Sequence, residues 1–258
     1  MFPVLNIGPL AIQTRGLIIL LSIWFASEAA ERGAKRLGLR SDHIYNLALI
    51  ASVAGLLGAR LGYVLEHFSV YQAYPAQIIA LDLNTLSATW GALSVLLAGY
   101  AYARRKDIAQ RRLLDALTPG LLVLAGGLAL ADLASGDGYG SPVSLPWAIE
   151  LWGAARHPTQ VYQLIAVGLI AVIVLKIDRM FDGLRFGLSI ALYAAARLII
   201  EAFRGDSAVI NGVRTAQVWS LLGLLAALWL LRHWATAQVT AVAHSSTVKV
   251  SADQDQVY

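Results

Sequence analysis

The chain has no cysteine among its 258 residues, and this absence excludes several kinds of chemistry. It rules out disulfides, thiolate metal ligands and a cysteine nucleophile. The sequence also lacks a metal-ligand cluster, a glycine-rich phosphate loop and a serine nucleophile elbow. Charged residues make up only 14% of the chain, and no long hydrophilic insertion interrupts it. Because no basic residue precedes Arg15, the N-terminus lacks the pattern of a cleavable signal peptide, and we expect the first apolar segment to stay in the membrane.

Apolar residues dominate the composition of the chain. They make up 58% of the chain, and the mean hydropathy of +0.63 is outside the range of water-soluble domains. A helix needs about 20 apolar residues to cross a hydrocarbon core of about 30 Å. Seven stretches meet this requirement, near residues 16–34, 44–66, 86–103, 113–134, 157–177, 183–203 and 216–233. The weaker stretch 74–83 is too short to span and contains Pro75, so we expect it to be re-entrant or interfacial.

The distribution of the 20 lysines and arginines predicts the orientation, because short cytoplasmic loops retain positive charge. Basic residues follow the first, third and fifth predicted spans and occur again in the C-terminal tail. The sequence therefore predicts an all-α, polytopic integral membrane protein of seven transmembrane helices, with its N-terminus outside and its C-terminus cytoplasmic. We expect a membrane domain over residues 1–235 and a flexible cytoplasmic tail over residues 236–258.

Six further arginines fall in the outer half of this topology, where the charge rule disfavours them: Arg15, Arg60, Arg156, Arg197, Arg204 and Arg214. The strongest functional signal includes two of them. On the sixth predicted span, Tyr193, Arg197, Glu201 and Arg204 fall within about 80° of arc and form one polar stripe. An arginine near a helix centre costs about 2.5–3.5 kcal/mol on insertion scales, which favours a functional role. The alternative is an Arg197–Glu201 ion pair that only neutralises itself and fixes two helices.

Arg60 lies near the outer end of the second predicted span, between Gly58 and Gly62. Small residues on either side allow another backbone to approach closely. Two spans therefore offer guanidinium groups at a similar depth in the outer leaflet. The alternative is that the Arg60 side chain snorkels to the membrane interface.

The fifth predicted span opens with a motif over residues 156–162 that includes His157, Pro158 and Gln160. Proline suits the first helical turn, and the free N–H groups of that turn favour an anion. His157 is a candidate general base, with a capping or core role as the alternative. The preceding outer loop contains Asp137 and Gly140 in a glycine-rich run, which permits close approach to a ligand but is also typical of an ordinary turn.

Together these arginines, the helix N-terminus and the loop meet at the outer headgroup level, where the commonest anion is a phospholipid phosphate. The planar guanidinium group suits this target because it donates two parallel hydrogen bonds to phosphate oxygens. We therefore predict that membrane lipids bind here, and we expect neither a cofactor nor a nucleic-acid partner.

The ordered set of motifs resembles the bacterial phosphatidylglycerol–prolipoprotein diacylglyceryl transferase family. The similarity runs from Ile7 to Trp219, and its anchors are residues 58–63, Asp115 with Pro119, 136–140, 145–147, 156–162, 193–204 and Gln217. This resemblance implies a seven-helix, N-outside enzyme of the bacterial cytoplasmic (inner) membrane. It also implies transfer of a diacylglyceryl group from phosphatidylglycerol to the lipobox cysteine thiol of a prolipoprotein signal peptide, with release of glycerol phosphate.

From the polar stripe, the motifs and this resemblance we expect two groups of site residues. The catalytic group comprises Arg197, Glu201, Tyr193 and His157. The lipid- and phosphate-binding group comprises Arg60, Arg204, Arg15, Asp137, Gly140 and Gln160. Cations would stabilise the departing phosphate, and the thiol proton would pass to His157, to Glu201 or to the phosphate itself.

The chain also departs from the family pattern. Trp90 stands where the family has a histidine, and the segment 128–132 lacks the arginine and asparagine usual there. Arg15 replaces a tyrosine and is a candidate for the role of the missing arginine, while Asp137 and Gln163 each replace a glutamate. These departures leave two alternatives open: a catalytically altered relative that binds anionic phospholipid or an exported peptide without transfer, and an anion or lipid transporter. The transporter is disfavoured because neither repeated halves nor midplane binding groups are evident.

Overall fold

The computed structural model describes residues 4–7, 10–79 and 85–254. Over these residues the chain forms eight α-helices. Seven of them coincide with the predicted spans, and the short third helix is additional. They are α1 (Thr14–Arg36), α2 (Ser41–Glu66), α3 (Phe68–Ala73), α4 (Ala88–Arg105), α5 (Gln110–Ser135), α6 (Thr159–Lys176), α7 (Leu184–Ile200) and α8 (Thr215–Gln254).

Three two-stranded antiparallel hairpins supplement the helices. Their strands are β1 (Val4–Ile7) with β2 (Leu10–Gln13), β3 (Ile149–Leu151) with β4 (Ala154–Arg156), and β5 (Val209–Ile210) with β6 (Val213–Arg214). The first and third hairpins lead directly into α1 and α8, and two residues separate the second hairpin from α6. Because the strands are so short, the predicted all-α class is confirmed.

The helices have the length and composition of a polytopic membrane protein. Among the described residues, five helical segments are long and apolar enough to cross a membrane: Ser41–Glu66, Gln110–Ser135, Thr159–Lys176, Leu184–Phe203 and Thr215–Gln238. The other two predicted spans carry more charge, because α1 contains acidic and basic residues in its last turns and α4 ends on two arginines. Leucines such as Leu96 and Leu169 are exposed on the outside of the bundle. Lipid is the solvent that suits such a surface, and the count of seven spans stays a prediction.

Close helix contacts depend on small residues. Helix α1 packs along α5, α2 along α4 and α7 along α8, while α6 lies between α5 and α7. A Cβ atom on Gly33 would lie 2.3 Å from the Ala116 carbonyl oxygen, and one on Gly120 would lie 2.4 Å from that of Ala26. Helices α1 and α5 are therefore in backbone contact, which is typical of membrane helices.

The basic loops lie together at one end of the bundle. A buried apolar cluster that includes Ala34, Ile44, Ala103 and Leu113 joins the last turns of α1 and α4 to the first turns of α2 and α5. The lysines and arginines that close α1 and α4 are at this end. The grouping agrees with the predicted cytoplasmic face, although the orientation itself stays a prediction.

Asp115 fixes the start of α7 at the same end. This buried side chain on α5 accepts hydrogen bonds from the backbone N–H of Gly183, at 2.8 Å, and of Phe186, at 3.0 Å. Both N–H groups belong to the unsatisfied set at a helix N-terminus. A carboxylate from a neighbouring helix therefore caps α7 and fixes its depth in the bundle.

Two predicted features fall partly outside the described residues. The stretch 74–83 contains a short 3-10 helix, Pro75–Ile78, one residue after α3, and residues 80–83 of that stretch lie outside the described part. Its re-entrant character stays a prediction. Helix α8 continues to Gln254, so no break in secondary structure marks the predicted boundary between residues 235 and 236. Residues 255–258 are not described, and the flexibility of the tail stays a prediction.

Candidate functional site

A small polar cavity lies between α5, α6 and α7, at the end of the bundle opposite the basic loops. Its volume is about 60 Å³. Three residues of the predicted polar stripe line it, together with Gln160, the predicted site residue at the start of α6. The residues that line it are Ala125, Leu128, Ala129, Asp132, Gly138, Thr159, Gln160, Gln163, Tyr193, Arg197 and Arg204.

Glu201 lies behind the wall of this cavity. It begins a 3-10 turn, Glu201–Phe203, that extends α7, and only 1% of the residue is exposed. Its Oε2 accepts a hydrogen bond from Arg197 Nη2 at 3.0 Å, and its Oε1 accepts one from the Ser207 hydroxyl. Arg204 Nε lies 3.8 Å from the same carboxylate. Both carboxylate oxygens are therefore already engaged, and Glu201 acts on the cavity through Arg197.

Arg197 retains donors for a ligand. Within the described part of the chain, its hydrogen bond to Glu201 is made by one of the five N–H groups of the guanidinium. The side chain is 25% exposed and lines the cavity. The remaining N–H groups give Arg197 the planar donor geometry that suits an oxyanion.

The segment after α7 is held by Asp206 and Arg214, neither of which was among the predicted site residues. Asp206 binds both Arg204 Nε, at 2.9 Å, and Arg204 Nη2, at 2.8 Å. Arg214 donates to the carbonyl of Glu201 at 2.7 Å and also to that of Arg204. The signal in the sequence is the polar run Gly205-Asp206-Ser207, which directly follows the stripe. These contacts hold Glu201 and Arg204 in place.

The outer loop is tied to the start of α6. The Thr159 hydroxyl donates to the Gly138 carbonyl, and Gln160 Nε2 donates to the Asp137 carbonyl at 2.7 Å. Gly138 has a φ of +64°, and a Cβ atom there would lie 3.4 Å from Arg204 Nη1. The left-handed backbone conformation therefore favours glycine at this position, whereas the distance to Arg204 is an ordinary van der Waals contact.

Arg15 joins the loop to the cavity wall. Its Nη2 lies 3.1 Å from Asp132 Oδ1, and its Nη1 contacts Asp137 Oδ2. Roughly half of the Arg15 side chain is exposed. The structure thus brings Arg15 and Asp137 to the edge of the cavity, while their contact with phosphate stays a prediction.

His157 packs against aromatic side chains. Its Nδ1 lies 3.2 Å from the Tyr162 hydroxyl, and its ring centroid is 5.1 Å from that of Phe203. The Gly140 N–H donates to the His157 carbonyl at 3.1 Å, and a Cβ atom on Gly140 would lie 2.3 Å from that oxygen. Among the residues that the structure describes, those lining the cavity do not include His157 or Gly140. A structural role for both is the simpler interpretation, and the predicted general base stays untested.

Arg60 is also separate from the cavity. The side chain is buried and donates from Nε to the Ile78 carbonyl at 3.0 Å and from Nη1 to the Thr85 carbonyl at 3.1 Å. It also bonds the Gln77 carbonyl and lies over the Tyr71 ring, 5.3 Å from the centroid. These contacts fasten the connection between α2 and α4. The predicted phosphate contact of Arg60 is not supported by this placement.

Trp90, the residue at the family's histidine position, packs between α2 and α4. A Cβ atom on Gly62 would lie 2.1 Å from the Trp90 ring, so the indole occupies the space that this glycine provides. The side chain is partly exposed on the outside of the bundle. Within the described residues Trp90 does not line the polar cavity.

A second, apolar cavity of about 300 Å³ shares α5 and α6 with the polar one and has Ala29 of α1 on its third side. It follows the same two helices one to two turns further from the outer loop, where Leu122 and Val123 replace Ala125 and Leu128 as lining residues of α5. On α6 the lining changes at Gln163, beyond which the wall is apolar. The complete lining is Ala29, Pro119, Leu122, Val123, Leu164, Val167, Gly168, Ala171 and Leu175.

These features define a multi-pass helical membrane protein with an arginine-lined polar cavity above an apolar one. A family model described as Prolipoprotein diacylglyceryl transferase matches residues 3–233, which is nearly the whole chain, and the protein belongs to this family. Members of this family are transferases.

Named relatives agree with this assignment. An enzyme of Clostridioides difficile called phosphatidylglycerol–prolipoprotein diacylglyceryl transferase is 30% identical over 212 residues, which cover 81% of this chain and 86% of the relative. Enzymes with the same name from Streptococcus pyogenes serotype M5 and Corynebacterium diphtheriae are 30% and 26% identical over 84% of the chain, and the aligned parts cover 89% and 86% of those relatives.

Proposed function

We propose that this protein transfers the diacylglyceryl group of phosphatidylglycerol to the cysteine thiol of a prolipoprotein. A carbon–sulfur bond forms between the thiol sulfur and the glycerol carbon that carried the phosphate. The bond between that carbon and the phosphate oxygen breaks, and glycerol phosphate leaves with the bonding electrons. The thiol proton passes to a base in the cavity or to the departing phosphate.

The observation that carries the proposal is the placement of Arg197. Its guanidinium lines the cavity with N–H groups that the described residues leave available, while Glu201 holds one edge at 3.0 Å. Negative charge develops on the departing phosphate as the carbon–oxygen bond breaks, and a fixed cation with parallel donors stabilises that charge. Arg204 adds a second cation, although Asp206 neutralises most of its charge. Tyr193 completes the wall beside Arg197.

The order of the two cavities along α5 and α6 matches the order of groups in a phospholipid. The polar cavity suits the phosphate and the groups bonded to it, and the apolar cavity of about 300 Å³ suits part of an acyl chain. A lipid bound in this way presents the carbon of the breaking bond at the boundary between the cavities.

Asp132 is the carboxylate that lines the cavity within the described part of the chain, and we assign the thiol proton to it. Its Oδ1 is held by Arg15 at 3.1 Å, and the side chain is 31% exposed, so an incoming peptide has access. Glu201 is less suited to this role because both of its oxygens accept hydrogen bonds inside the protein. This chain lacks the arginine and asparagine that the family has in segment 128–132, and Asp132 lines the cavity together with the apolar Leu128 and Ala129.

The same proposal includes the location of the protein. It would span the bacterial cytoplasmic membrane seven times, with the N-terminus and the cavity outside and the C-terminus in the cytoplasm. The clustering of the basic loops at the end opposite the cavity supports this orientation. An exported prolipoprotein would then meet phosphatidylglycerol at the outer headgroup level.

The direct test is transfer by purified protein in liposomes that contain phosphatidylglycerol with labelled acyl chains. A lipobox peptide should acquire the label, and the same peptide with serine in place of cysteine should not. Arg197→Leu should insert into the membrane normally but fail to transfer the diacylglyceryl group. Specific binding of phosphatidylglycerol or peptide by the native protein without any transfer would contradict the proposal and support the non-catalytic alternative.

A further inference from the structure

Two glutamines in the polar cavity have amide atoms that lack protein partners. Both residues are buried, with an exposed fraction of 7% for Gln163 and 3% for Gln160. Among the described residues, neither the Oε1 nor the Nε2 of Gln163 has a hydrogen-bond partner, and the same holds for the Oε1 of Gln160. Buried polar atoms are almost always hydrogen-bonded in native proteins, so such a group needs an explanation. Since both side chains line the cavity, a ligand in the cavity provides one.

Gln163 occupies a distinct level of the site. It lies about 4.5 Å further along the α6 axis than Gln160, whose Nε2 is bound to the outer loop. The next lining residues of α6 are Leu164 and Val167, which belong to the apolar cavity. Gln163 is therefore the last polar side chain of α6 between the arginines and the apolar wall.

The chemistry of an amide limits what binds at this level. A primary amide carries no charge, donates two hydrogen bonds and accepts others. It is a poor partner for a phosphate compared with the neighbouring arginines, because charge-assisted hydrogen bonds are about twice as strong as neutral ones. A neutral group with acceptor oxygens fits Gln163 best. In a diacyl phospholipid, the ester carbonyls are such groups, and they lie between the phosphate and the acyl chains.

We propose that Gln163 binds an ester carbonyl of the lipid donor and so selects ester-linked lipids. The proposal rests on the proposed function, because it uses the phosphate near Arg197 and the acyl chain in the apolar cavity to place the ester. Gln163 stands where the family pattern has a glutamate, so the contact belongs to this chain. An ionised carboxylate at this position only accepts hydrogen bonds and could not donate to the carbonyl.

The experiment compares binding of two lipids that share the phosphoglycerol head group and the chain length. One is phosphatidylglycerol with ester-linked chains, and the other is its analogue with ether-linked chains, which has no carbonyl oxygens. Affinity is measured from the lipid-dependent rise in the unfolding temperature of the purified full chain in detergent. The native protein should bind the diester about three- to tenfold more tightly, the range that one net neutral hydrogen bond supplies.

Gln163→Met should abolish this preference while it preserves the size of the side chain and the affinity for the diether. Gln163→Leu provides a second uncharged variant if the first fails to fold. Gln238→Leu, an exposed glutamine on α8 outside the cavity, is the matched control and should retain the full preference. Equal binding of both lipids by the native protein, or an unchanged preference in a folded Gln163 variant, would overturn the inference.

Binding and transfer separate this inference from the proposed function. An ester preference that depends on Gln163, without any transfer to a lipobox peptide, would leave the ester contact in place and contradict the transferase proposal. Transfer together with equal binding of diester and diether would contradict only the ester contact.

Discussion

Replacing Arg197 with lysine distinguishes phosphate recognition from simple neutralisation of Glu201. Lysine retains the positive charge, so the contact now made at 3.0 Å between Arg197 Nη2 and Glu201 Oε2 can be replaced by an ammonium contact. It loses the planar pair of donors. We therefore expect Arg197→Lys to unfold at nearly the native temperature and yet to transfer slowly.

The size of the effect follows from the contacts. A hydrogen bond to a charged group contributes about 1.5–3 kcal/mol, so losing one in the transition state should slow transfer about ten- to hundredfold. Arg197→Leu should lose more stability and more transfer activity than Arg197→Lys. In this variant Glu201, which is 1% exposed, keeps its contacts with the Ser207 hydroxyl and with Arg204 at 3.8 Å. The free energy of unfolding should fall by about 3 kcal/mol, the lower end of the range for breaking a buried ion pair.

The double variant Arg197→Leu with Glu201→Leu completes the test. An apolar pair that replaces a buried ion pair is often neutral for stability. We expect a folded protein with near-native stability and no transfer. The assays are thermal unfolding in detergent and release of label to a lipobox peptide, with the exposed Arg232→Lys as the control. Transfer by Arg197→Lys within about twofold of native, or any substantial transfer by the double variant, would refute the assignment.

Three further outcomes test other parts of the structure. Asp132→Asn should lower the transfer rate at least about tenfold with little change in lipid binding, because it removes a proton acceptor, and His157→Ala should lower the rate less. A larger loss of transfer in His157→Ala than in Asp132→Asn would assign the base to the histidine. Arg60→Leu should destabilise the chain by about 1–3 kcal/mol in thermal unfolding, because it removes the charged donor of part-buried hydrogen bonds, and native stability would show that the contacts with Ile78 and Thr85 contribute little. In intact cells, an impermeant thiol reagent should label Ser144→Cys from outside and Lys106→Cys only after lysis, and labelling of both from outside would contradict the topology.

The membrane helices were predictable because each is a long apolar run with its own local signal. The predicted span at 16–34 became α1 at Thr14–Arg36, and the one at 157–177 became α6 at Thr159–Lys176, so only the ends differ. The polar stripe of α7 was predictable for the same reason, since helical periodicity alone aligns Tyr193 with Arg197. These features depend on neighbours within a few residues.

The roles of the other arginines depend on contacts that are distant in the sequence. Arg60 and Arg197 look alike in an apolar span, but the acceptors of Arg60 are 17 to 25 residues away in the following connection. The backbone of His157 pairs with the loop at Gly140 and Ser141, a contact that no local pattern in the sequence indicates. Gln163 is an ordinary polar residue in the sequence, and the shortage of partners for its amide is visible only in the folded chain.

Helix α7 is held at both ends by side chains from other elements. Asp115 binds the N–H groups of Gly183 and Phe186 at the start, and Arg214 binds the Glu201 carbonyl at the finish. The 17 residues of the helix therefore set the distance between two anchored ends. One residue added between them would shift the register by about 1.5 Å and 100°, which would turn Arg197 away from the cavity or break one of the clamps. The length of α7 is therefore as constrained as the identity of Arg197, because a change in length requires new contacts at both ends of the helix.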